Sequence, residues 1–154
     1  MDVDGTLTDG KIYMGPNGEV MKAFDIKDGY GIHDILPQLG ITPVIITGRS
    51  STIVQNRCKE LGISLLYQGV KDKVAKLKEI LSEKGEEPSV VAYVGDDLND
   101  LQCMLYVIEN GGLVGTPNNA CQQVKKIASF ISEADGGCGA VREFVDYLFR
   151  LKQK

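Results

Sequence analysis

The feature that most constrains this chain is its alternation of short apolar segments with amphipathic helical segments. The predicted strands are rich in β-branched residues. They cover Thr42–Thr47, Ser64–Tyr67, Ser89–Val94, Leu113–Gly115 and Ala128–Ile131. The predicted helices cover Thr52–Leu61, Val70–Glu83, a stretch near Asn118–Lys126, and Val141–Leu151. Because parallel strands need helical crossovers, this order predicts an α/β fold. We expect one domain over residues 1–154, built on a doubly wound, Rossmann-like parallel sheet.

The segment Gly10–Phe24 interrupts this alternation and is predicted to form a β-hairpin. Two extended stretches, Lys11–Met14 and Glu19–Phe24, flank the turn-forming sequence Gly15-Pro16-Asn17-Gly18. The hairpin is either a surface decoration or a flap or assembly arm beside a site. We favour the second interpretation, because loops next to the carboxyl end of a strand are where functional residues concentrate.

Composition excludes several classes of function. A net charge of −4 provides no basic excess for a phosphate backbone, so we expect no nucleic-acid partner. The single histidine, His33, excludes a zinc site built on several histidines. No apolar run approaches the roughly 20 residues that a membrane span needs, and we expect no signal peptide before the first motif. The cysteines lack C-x-x-C spacing and indicate reduced thiols, hence a cytoplasmic protein; they are Cys58, Cys103, Cys121 and Cys138.

The start of the sequence is unusual for such a sheet. An acidic loop, Asp2-Val3-Asp4-Gly5, follows Met1 directly. In a doubly wound sheet such a loop follows a buried strand, and without that strand a gap would open in the core. We therefore expect several apolar residues upstream in the native chain.

Four groups of polar residues are predicted to lie at the carboxyl ends of strands. Each alone has a structural explanation as a turn, a helix cap or a solvated side chain. In combination they suit phosphoryl transfer, with carboxylates for Mg²⁺ and for nucleophilic attack, and a hydroxyl and a lysine for the phosphoryl group. The four groups are Asp2 with Asp4, Thr47, Lys73, and Asp96 with Asp97 and Asp100.

This ordered set resembles the motifs of the haloacid dehalogenase superfamily of phosphotransferases. The resemblance implies that Asp2 is the nucleophile and a Mg²⁺ ligand. It implies that Asp4 is the general acid and base, with its backbone carbonyl on the metal. Thr47 and Lys73 would hold the phosphoryl group, and Asp96 would bind Mg²⁺. Asp97 and Asp100 would support the metal site.

Further segments resemble the capless subfamily, and the short spacing between motifs leaves no room for a cap domain. These segments are Phe24–Ile32, Ile45–Arg49, Tyr67–Gly69 and Gly136–Glu143. The subfamily includes 3-deoxy-D-manno-octulosonate 8-phosphate phosphatases, acylneuraminate 9-phosphate phosphatases and C-terminal modules of acylneuraminate cytidylyltransferases. The resemblance implies a phosphorylated sugar acid as substrate. It also implies a homotetramer in which the hairpin and C-terminal segment help enclose a neighbour's site.

The same resemblance implies a pocket for the sugar acid. Arginines suit such a pocket because the substrates carry a carboxylate as well as a phosphate. Two positions, His33 and Cys138, differ from the arginines common in octulosonate enzymes, which leaves the sugar acid open. His33 is equally well explained as a helix-surface residue, and Arg57 as a structural one. The implied pocket residues are Asp25, Ile26, Lys27, Asp28, Gly29, His33, Gly48, Arg49 and Arg57.

Two other classes of protein compete with a phosphatase. A signalling receiver domain also combines acids, a threonine and a lysine, but its phosphorylated aspartate lies in the middle of the chain and its lysine near the end. A non-catalytic assembly module of a larger synthetase would have no physical need of Asp4 or Lys73. Release of phosphate from sugar phosphates would separate a phosphatase from both alternatives.

Overall fold

A computed structural model describes residues 1–153 and shows five parallel strands in two sheets. The strands are β3 (Val44–Ile46), β4 (Leu65–Tyr67), β5 (Ala92–Val94), β6 (Leu113–Thr116) and β7 (Phe130–Ile131). Strand β3 pairs with β4, aligning Ile45 with Leu66. Strands β5, β6 and β7 form the second sheet, in that order. The hairpin of β1 (Tyr13–Gly15) and β2 (Gly18–Met21) lies where the sequence predicts it.

Four of the helices that pack around these strands lie where the sequence pattern predicts them, with differences at their ends. The helices Ile26–Tyr30, Leu36–Gln38 and Leu98–Glu109 are not among the predicted ones. Helix α4 (Lys73–Lys84) begins three residues later than the predicted helix Val70–Glu83. The reason is that the Asp72 side chain caps it, accepting a hydrogen bond from the Ala75 N–H. The predicted strand Ser89–Val94 is shortened because Pro88–Val90 forms a 3₁₀ turn. The helices are α1 (Ile26–Tyr30), α2 (Leu36–Gln38), α3 (Thr52–Glu60), α4 (Lys73–Lys84), α5 (Leu98–Glu109), α6 (Gln122–Ile127) and α7 (Ala140–Lys152), with a π-helical segment (Gly31–Ile35) between α1 and α2.

Successive strand residues point to opposite faces of the sheets, and each face is covered by helices. Ile45 belongs to a core formed with α3, α7 and the helical segment that starts with α1. Ile46 belongs to a second core formed with α4, α5 and α6. This is the arrangement of a doubly wound α/β fold, and no separate cap domain is present among residues 1–153. None of the helices in that range combines the length and apolarity required to cross a bilayer.

The backbone of Met1 and Asp2 joins the two sheets. Met1 accepts a hydrogen bond from the Ile46 N–H at 3.0 Å, and its own nitrogen donates to the Val44 carbonyl at 2.8 Å. On the other side, the Asp2 N–H donates to the Val94 carbonyl at 3.0 Å. These bonds place Asp2 between the ends of β3 and β5.

A cavity of about 310 Å³ adjoins this bridge. Its lining includes Met1, β3 residues Val44 and Ile46, and β5 residues Ala92 and Val94. It therefore lies between the two sheets. The expectation of apolar residues upstream stays a prediction.

Candidate active site

The acidic loop is held in a tight turn at the edge between the two sheets. The Val3 carbonyl accepts from the N–H groups of Thr6, Leu7 and Thr8 at 2.8–3.1 Å. Gly5 has a φ of +88°, and a Cβ there would lie 2.0 Å from Oδ2 of Asp96. Only glycine fits this position, and its absence of a side chain lets Asp96 approach the loop closely.

Lys73 lies between two buried carboxylates at the start of α4. Its Nζ is 3.0 Å from Oδ1 of Asp2 and 2.7 Å from Oδ1 of Asp100, and its side chain is 3% exposed. Burial alone would lower the pKa of Lys73, but the charges of Asp2 and Asp100 raise it above its usual value. The lysine therefore stays charged beside Asp2.

Asp100 orients the lysine and the loop that follows β5. Its Oδ1 also accepts from the Tyr93 hydroxyl at 2.7 Å, and its Oδ2 accepts from the Asp96 N–H at 3.1 Å. Asp97 is exposed and caps α5, its carboxylate accepting from the Leu98 N–H at 2.8 Å. Asp100 therefore orients Lys73 and the loop after β5, whereas support of a metal by Asp97 and Asp100 stays a prediction.

Asp2 and Asp96 are the carboxylates best placed to share a cation. Oxygens of Asp2, Asp96 and Asp100 all lie within 4.8 Å of one another, but those of Asp100 are occupied by the contacts above. Burial, together with the charge of Asp100, raises the pKa of Asp2 to about 6. Burial and the charges of Asp100 and Asp2 raise the pKa of Asp96 to about 7, although the Thr6 hydroxyl donates to Asp96 at 2.9 Å. An all-oxygen set with excess negative charge fits a hard divalent cation such as Mg²⁺.

Asp4 faces the hairpin and the loop after β3. Its Oδ1 lies 2.5 Å from Nζ of Lys22, and its Oδ2 lies 3.7 Å from Nε of Arg49. Glu19 contacts the same two cations, at 2.8 Å from Lys22 and 3.8 Å from Arg49. The hairpin thus reaches the predicted acid and base directly.

The remaining predicted catalytic residue, Thr47, is buried at the carboxyl end of β3. Its N–H donates to the Tyr67 carbonyl at 3.0 Å, and its carbonyl accepts from the Val70 N–H at 3.0 Å. Gly48 follows it, with an added Cβ 3.6 Å from the Val70 carbonyl. The backbone of Thr47 is therefore fixed. Thr47 directly follows Ile46, whose N–H donates to the Met1 carbonyl.

The predicted sugar-acid residues from α1 split into exposed and buried positions. Asp25 caps α1 by accepting from the Lys27 N–H at 2.6 Å. Ile26 is 83% exposed and the Lys27 side chain 63% exposed. Asp28 is buried; its Oδ1 accepts from the Arg142 N–H at 2.7 Å, and burial raises its pKa to about 6. Asp28 therefore ties α1 to α7.

The other predicted pocket residues lie in different surroundings. Arg57 packs against Gly29, lies 5.6 Å above the Phe24 ring and pairs with Glu60 at 2.9 Å. His33 is exposed and contacts Asp34 at 3.2 Å, with no contact to the acidic cluster among residues 1–153. Of the predicted pocket residues, the structure brings Arg49 to Asp4. The roles of all of them in binding stay predictions.

Several side chains at the site were missed by the sequence analysis. Lys22, Glu19 and Ser51 join the hairpin to the site, because the Ser51 hydroxyl donates to Glu19 at 2.8 Å. Tyr93 supports Asp100, and Thr6 supports Asp96. The hydroxyl of Thr6 belongs to a motif that the sequence analysis quoted, whereas burial of Lys22 has no signal in the sequence.

No protein-family model matches this chain. Individual relatives, in contrast, match it along its whole length. The chain is 44% identical to the 3-deoxy-D-manno-octulosonate 8-phosphate phosphatase of Escherichia coli K12 over 154 residues, which are 100% of this chain and 79% of that protein. It is 40% identical to the Yersinia pestis protein of the same name over 153 residues, 99% of this chain and 79% of the relative.

Solved structures give the same result. A Moraxella catarrhalis 3-deoxy-D-manno-octulosonate 8-phosphate phosphatase, in complex with magnesium, phosphate and the sugar acid KDO, is 42% identical with a TM-score of 0.89. The match covers 97% of this chain and 83% of that one. A cobalt-bound Haemophilus influenzae deoxy-D-mannose-octulosonate 8-phosphate phosphatase is 33% identical with a TM-score of 0.90, covering 99% and 86%.

These matches, with the acidic loop, the lysine and the second acidic cluster in their predicted places, favour a phosphatase over a receiver domain. The chain belongs to the 3-deoxy-D-manno-octulosonate 8-phosphate phosphatase family of the haloacid dehalogenase superfamily.

Proposed function

We propose that this protein is a Mg²⁺-dependent phosphatase that hydrolyses 3-deoxy-D-manno-octulosonate 8-phosphate through an aspartyl-phosphate. The observation that carries the proposal is the geometry around Asp2. Its carboxylate lies at the carboxyl edge of the sheets, 3.0 Å from a buried lysine and within reach of Asp96. The chain has this geometry within a family whose named members are phosphatases.

In the first step, a carboxylate oxygen of Asp2 attacks phosphorus. The bond from phosphorus to the sugar oxygen breaks, and Asp4 gives a proton to that oxygen. Lys73 offsets negative charge on Asp2 and on the phosphoryl oxygens as the bond forms. Thr47 would donate its hydroxyl to the phosphoryl group, as its place at the end of β3 allows.

In the second step, water attacks the phosphorus of the aspartyl-phosphate. Asp4 takes a proton from the water, the bond to the Asp2 oxygen breaks, and inorganic phosphate leaves. The same carboxyl thus gives a proton in one step and takes one in the next, which restores the enzyme.

Asp2, Asp96 and the backbone carbonyl of Asp4 would hold Mg²⁺. When bound, the ion supplies positive charge that neutralises the phosphoryl oxygens and aligns them for attack. The two carboxylates fit this role because burial and mutual repulsion leave their negative charge poorly balanced. The magnesium and cobalt in the related structures support the choice of a divalent cation.

The sugar acid would occupy the side of the site that carries Arg49. The exposed guanidinium suits a carboxylate, and its neighbour Asp4 suits a leaving oxygen. We extend the pocket to Asp25, Lys27 and Arg57, although the structure engages Arg57 with Glu60.

The proposal includes self-association as a homotetramer in the cytoplasm. The hairpin exposes a set of apolar side chains of the kind that marks an interface, namely Ile12, Met14, Val20 and Met21. The free state of the four cysteines supports a reducing compartment.

The test is phosphate release from a panel of substrates with Mg²⁺ and with EDTA. The panel contains the octulosonate 8-phosphate, an acylneuraminate 9-phosphate and simple hexose phosphates. We expect turnover of the octulosonate ester that EDTA abolishes. Preference for the acylneuraminate ester would change the assigned substrate, and absence of turnover on every ester would favour the assembly module.

A further inference from the structure

The second strand of the hairpin ends in a lysine whose side chain is almost completely buried. The Lys22 side chain is 1% exposed, and its Nζ contacts Asp4 and Glu19 at 2.5 and 2.8 Å. Burying an ammonium group is unfavourable unless partners compensate for its lost hydration. The two carboxylates therefore account for the burial of Lys22. Burial would lower the pKa of Lys22, but the hydrogen bonds to Asp4 and Glu19 and the charges of both raise it.

Asp4 is bracketed by cations from two separate elements. Lys22 contacts one of its oxygens and Arg49, from the loop after β3, approaches the other at 3.7 Å. Glu19 contacts both cations and accepts from the Ser51 hydroxyl. We define Asp4, Glu19, Lys22 and Arg49 as the hairpin charge cluster. Its two positive and two negative groups balance.

A carboxylate held on both oxygens has a fixed orientation, whereas a carboxylate on a loop otherwise rotates. We propose that Lys22 is a positioning residue that, with Glu19, aims the Asp4 carboxyl at the leaving oxygen. This inference rests on the proposed function, because it assigns Lys22 a role in proton delivery by Asp4. Loss of orientation reduces the efficiency of general acid catalysis without removing the acid itself.

The test compares two substrates that differ in their need for a proton. Sugar phosphates leave as poorly stabilised alkoxides, whereas p-nitrophenyl phosphate leaves as a stable phenolate. We expect Lys22→Met to lower kcat/KM, which reports only the steps up to formation of the aspartyl-phosphate, by roughly 10- to 100-fold for the sugar phosphate and by less than about 3-fold for p-nitrophenyl phosphate. Lys22→Arg, which keeps the charge, should restore part of the lost rate. Lys11→Met, on the exposed start of the hairpin, is the matched control.

A second comparison separates positioning from a direct contact with phosphate. In an Asp4→Asn background, Lys22→Met should cost no further rate, because the group that it positions is absent. Equal losses on both substrates, or an added loss in the Asp4→Asn background, would overturn the proposal. If Lys22→Met does not fold, Glu19→Gln replaces it, with the same substrate dependence expected. A wild-type protein without turnover of either substrate would instead refute the proposed function, and the inference with it.

Discussion

The Nζ atom of Lys73 lies 3.0 Å from Oδ1 of Asp2, in a place from which solvent is almost excluded. A lysine so close to a carboxylate offsets its charge while the attacking oxygen stays available. The same lysine is held from the other side by Asp100, which in turn accepts from Tyr93. Asp2, the proposed nucleophile, therefore depends on a chain of buried contacts that reaches strand β5 and the first turns of α4 and α5.

Replacing Lys73 should damage both activity and stability. Lys73→Met leaves Asp2 and Asp100 as buried carboxylates without their cation, so we expect a loss of about 3 to 5 kcal/mol in the free energy of unfolding. Adding Asp100→Asn should restore part of that stability but not turnover, since one orphaned charge is removed. Urea denaturation and phosphate release measure the two effects. Equal free energies of unfolding for Lys73→Met and for the double variant would contradict the proposed coupling between Lys73 and Asp100.

Replacing Asp2, the proposed nucleophile, should abolish turnover without unfolding the protein. Asp2→Asn keeps the shape of the side chain and removes a buried charge, so the fold should stay intact. We expect phosphate release to fall by about 10³-fold or more. Circular dichroism checks the fold, and Asp34→Asn, an exposed acid on the π-helical segment, is the control. Wild-type turnover by Asp2→Asn would refute the nucleophile assignment.

Replacing Asp4 should affect substrates unequally. Asp4→Asn keeps contacts with the hairpin but cannot protonate a leaving oxygen. We expect losses in kcat/KM, which reports only the steps up to formation of the aspartyl-phosphate, of about 10²- to 10³-fold on a sugar phosphate and a smaller loss on p-nitrophenyl phosphate. A series of aryl phosphates of graded leaving-group pKa measures this dependence. A uniform loss along the series would argue against acid catalysis by Asp4.

The stabilising effect of Mg²⁺ should increase with pH. Burial raises the pKa values of Asp2 and Asp96 to about 6 and about 7, so the folded, metal-free protein binds more protons than the unfolded chain. The contribution of these two carboxyl groups to the free energy of unfolding is fully present below about pH 4 and is lost as pH rises through about 7. A bound cation compensates for the ionised carboxylates, so the gain in Tm on adding Mg²⁺ should be small near pH 5 and large near pH 8.

Thermal unfolding with Mg²⁺ and with EDTA across this pH range measures the gain. Asp28, whose pKa burial also raises to about 6, contributes to both curves and cancels in the difference. Asp96→Asn should remove most of the gain because it deletes one predicted ligand. A gain in Tm that does not depend on pH would contradict binding of the ion by Asp2 and Asp96.

Disrupting the apolar surface of the hairpin should change the oligomeric state. Val20 is 60% exposed on β2, so Val20→Asp should be tolerated by the monomer and should oppose burial of the hairpin against another copy. Light scattering after gel filtration should show a smaller species than the tetramer proposed for the wild type. Val90→Asp, at a 65% exposed position on the 3₁₀ turn, should leave the assembly unchanged. Identical masses for wild type and Val20→Asp would exclude this face as the interface.

The sequence predicts the strands and the main catalytic cluster because both depend on local patterns. Apolar β-branched runs mark buried strands, and the polar residues that follow Ile46 and Val94 come to one edge of parallel sheets by topology alone. The ends of elements are less predictable: Asp72 and Pro88 shift them through cap and turn geometry. No local pattern reports how the hairpin folds back, so the contacts of Lys22 and Glu19 appear only in three dimensions.

The placement of Met1 and Asp2 between the sheets has a consequence for the order of folding. Each sheet is assembled from its own continuous stretch of sequence, whereas the backbone bonds of Met1 and Asp2 reach residues far along the chain. Such long-range contacts form late because loop closure must precede them. No intermediate that lacks either sheet can hold Asp2 in place. Recovery of catalysis during refolding should therefore coincide with the final step, not with the appearance of secondary structure.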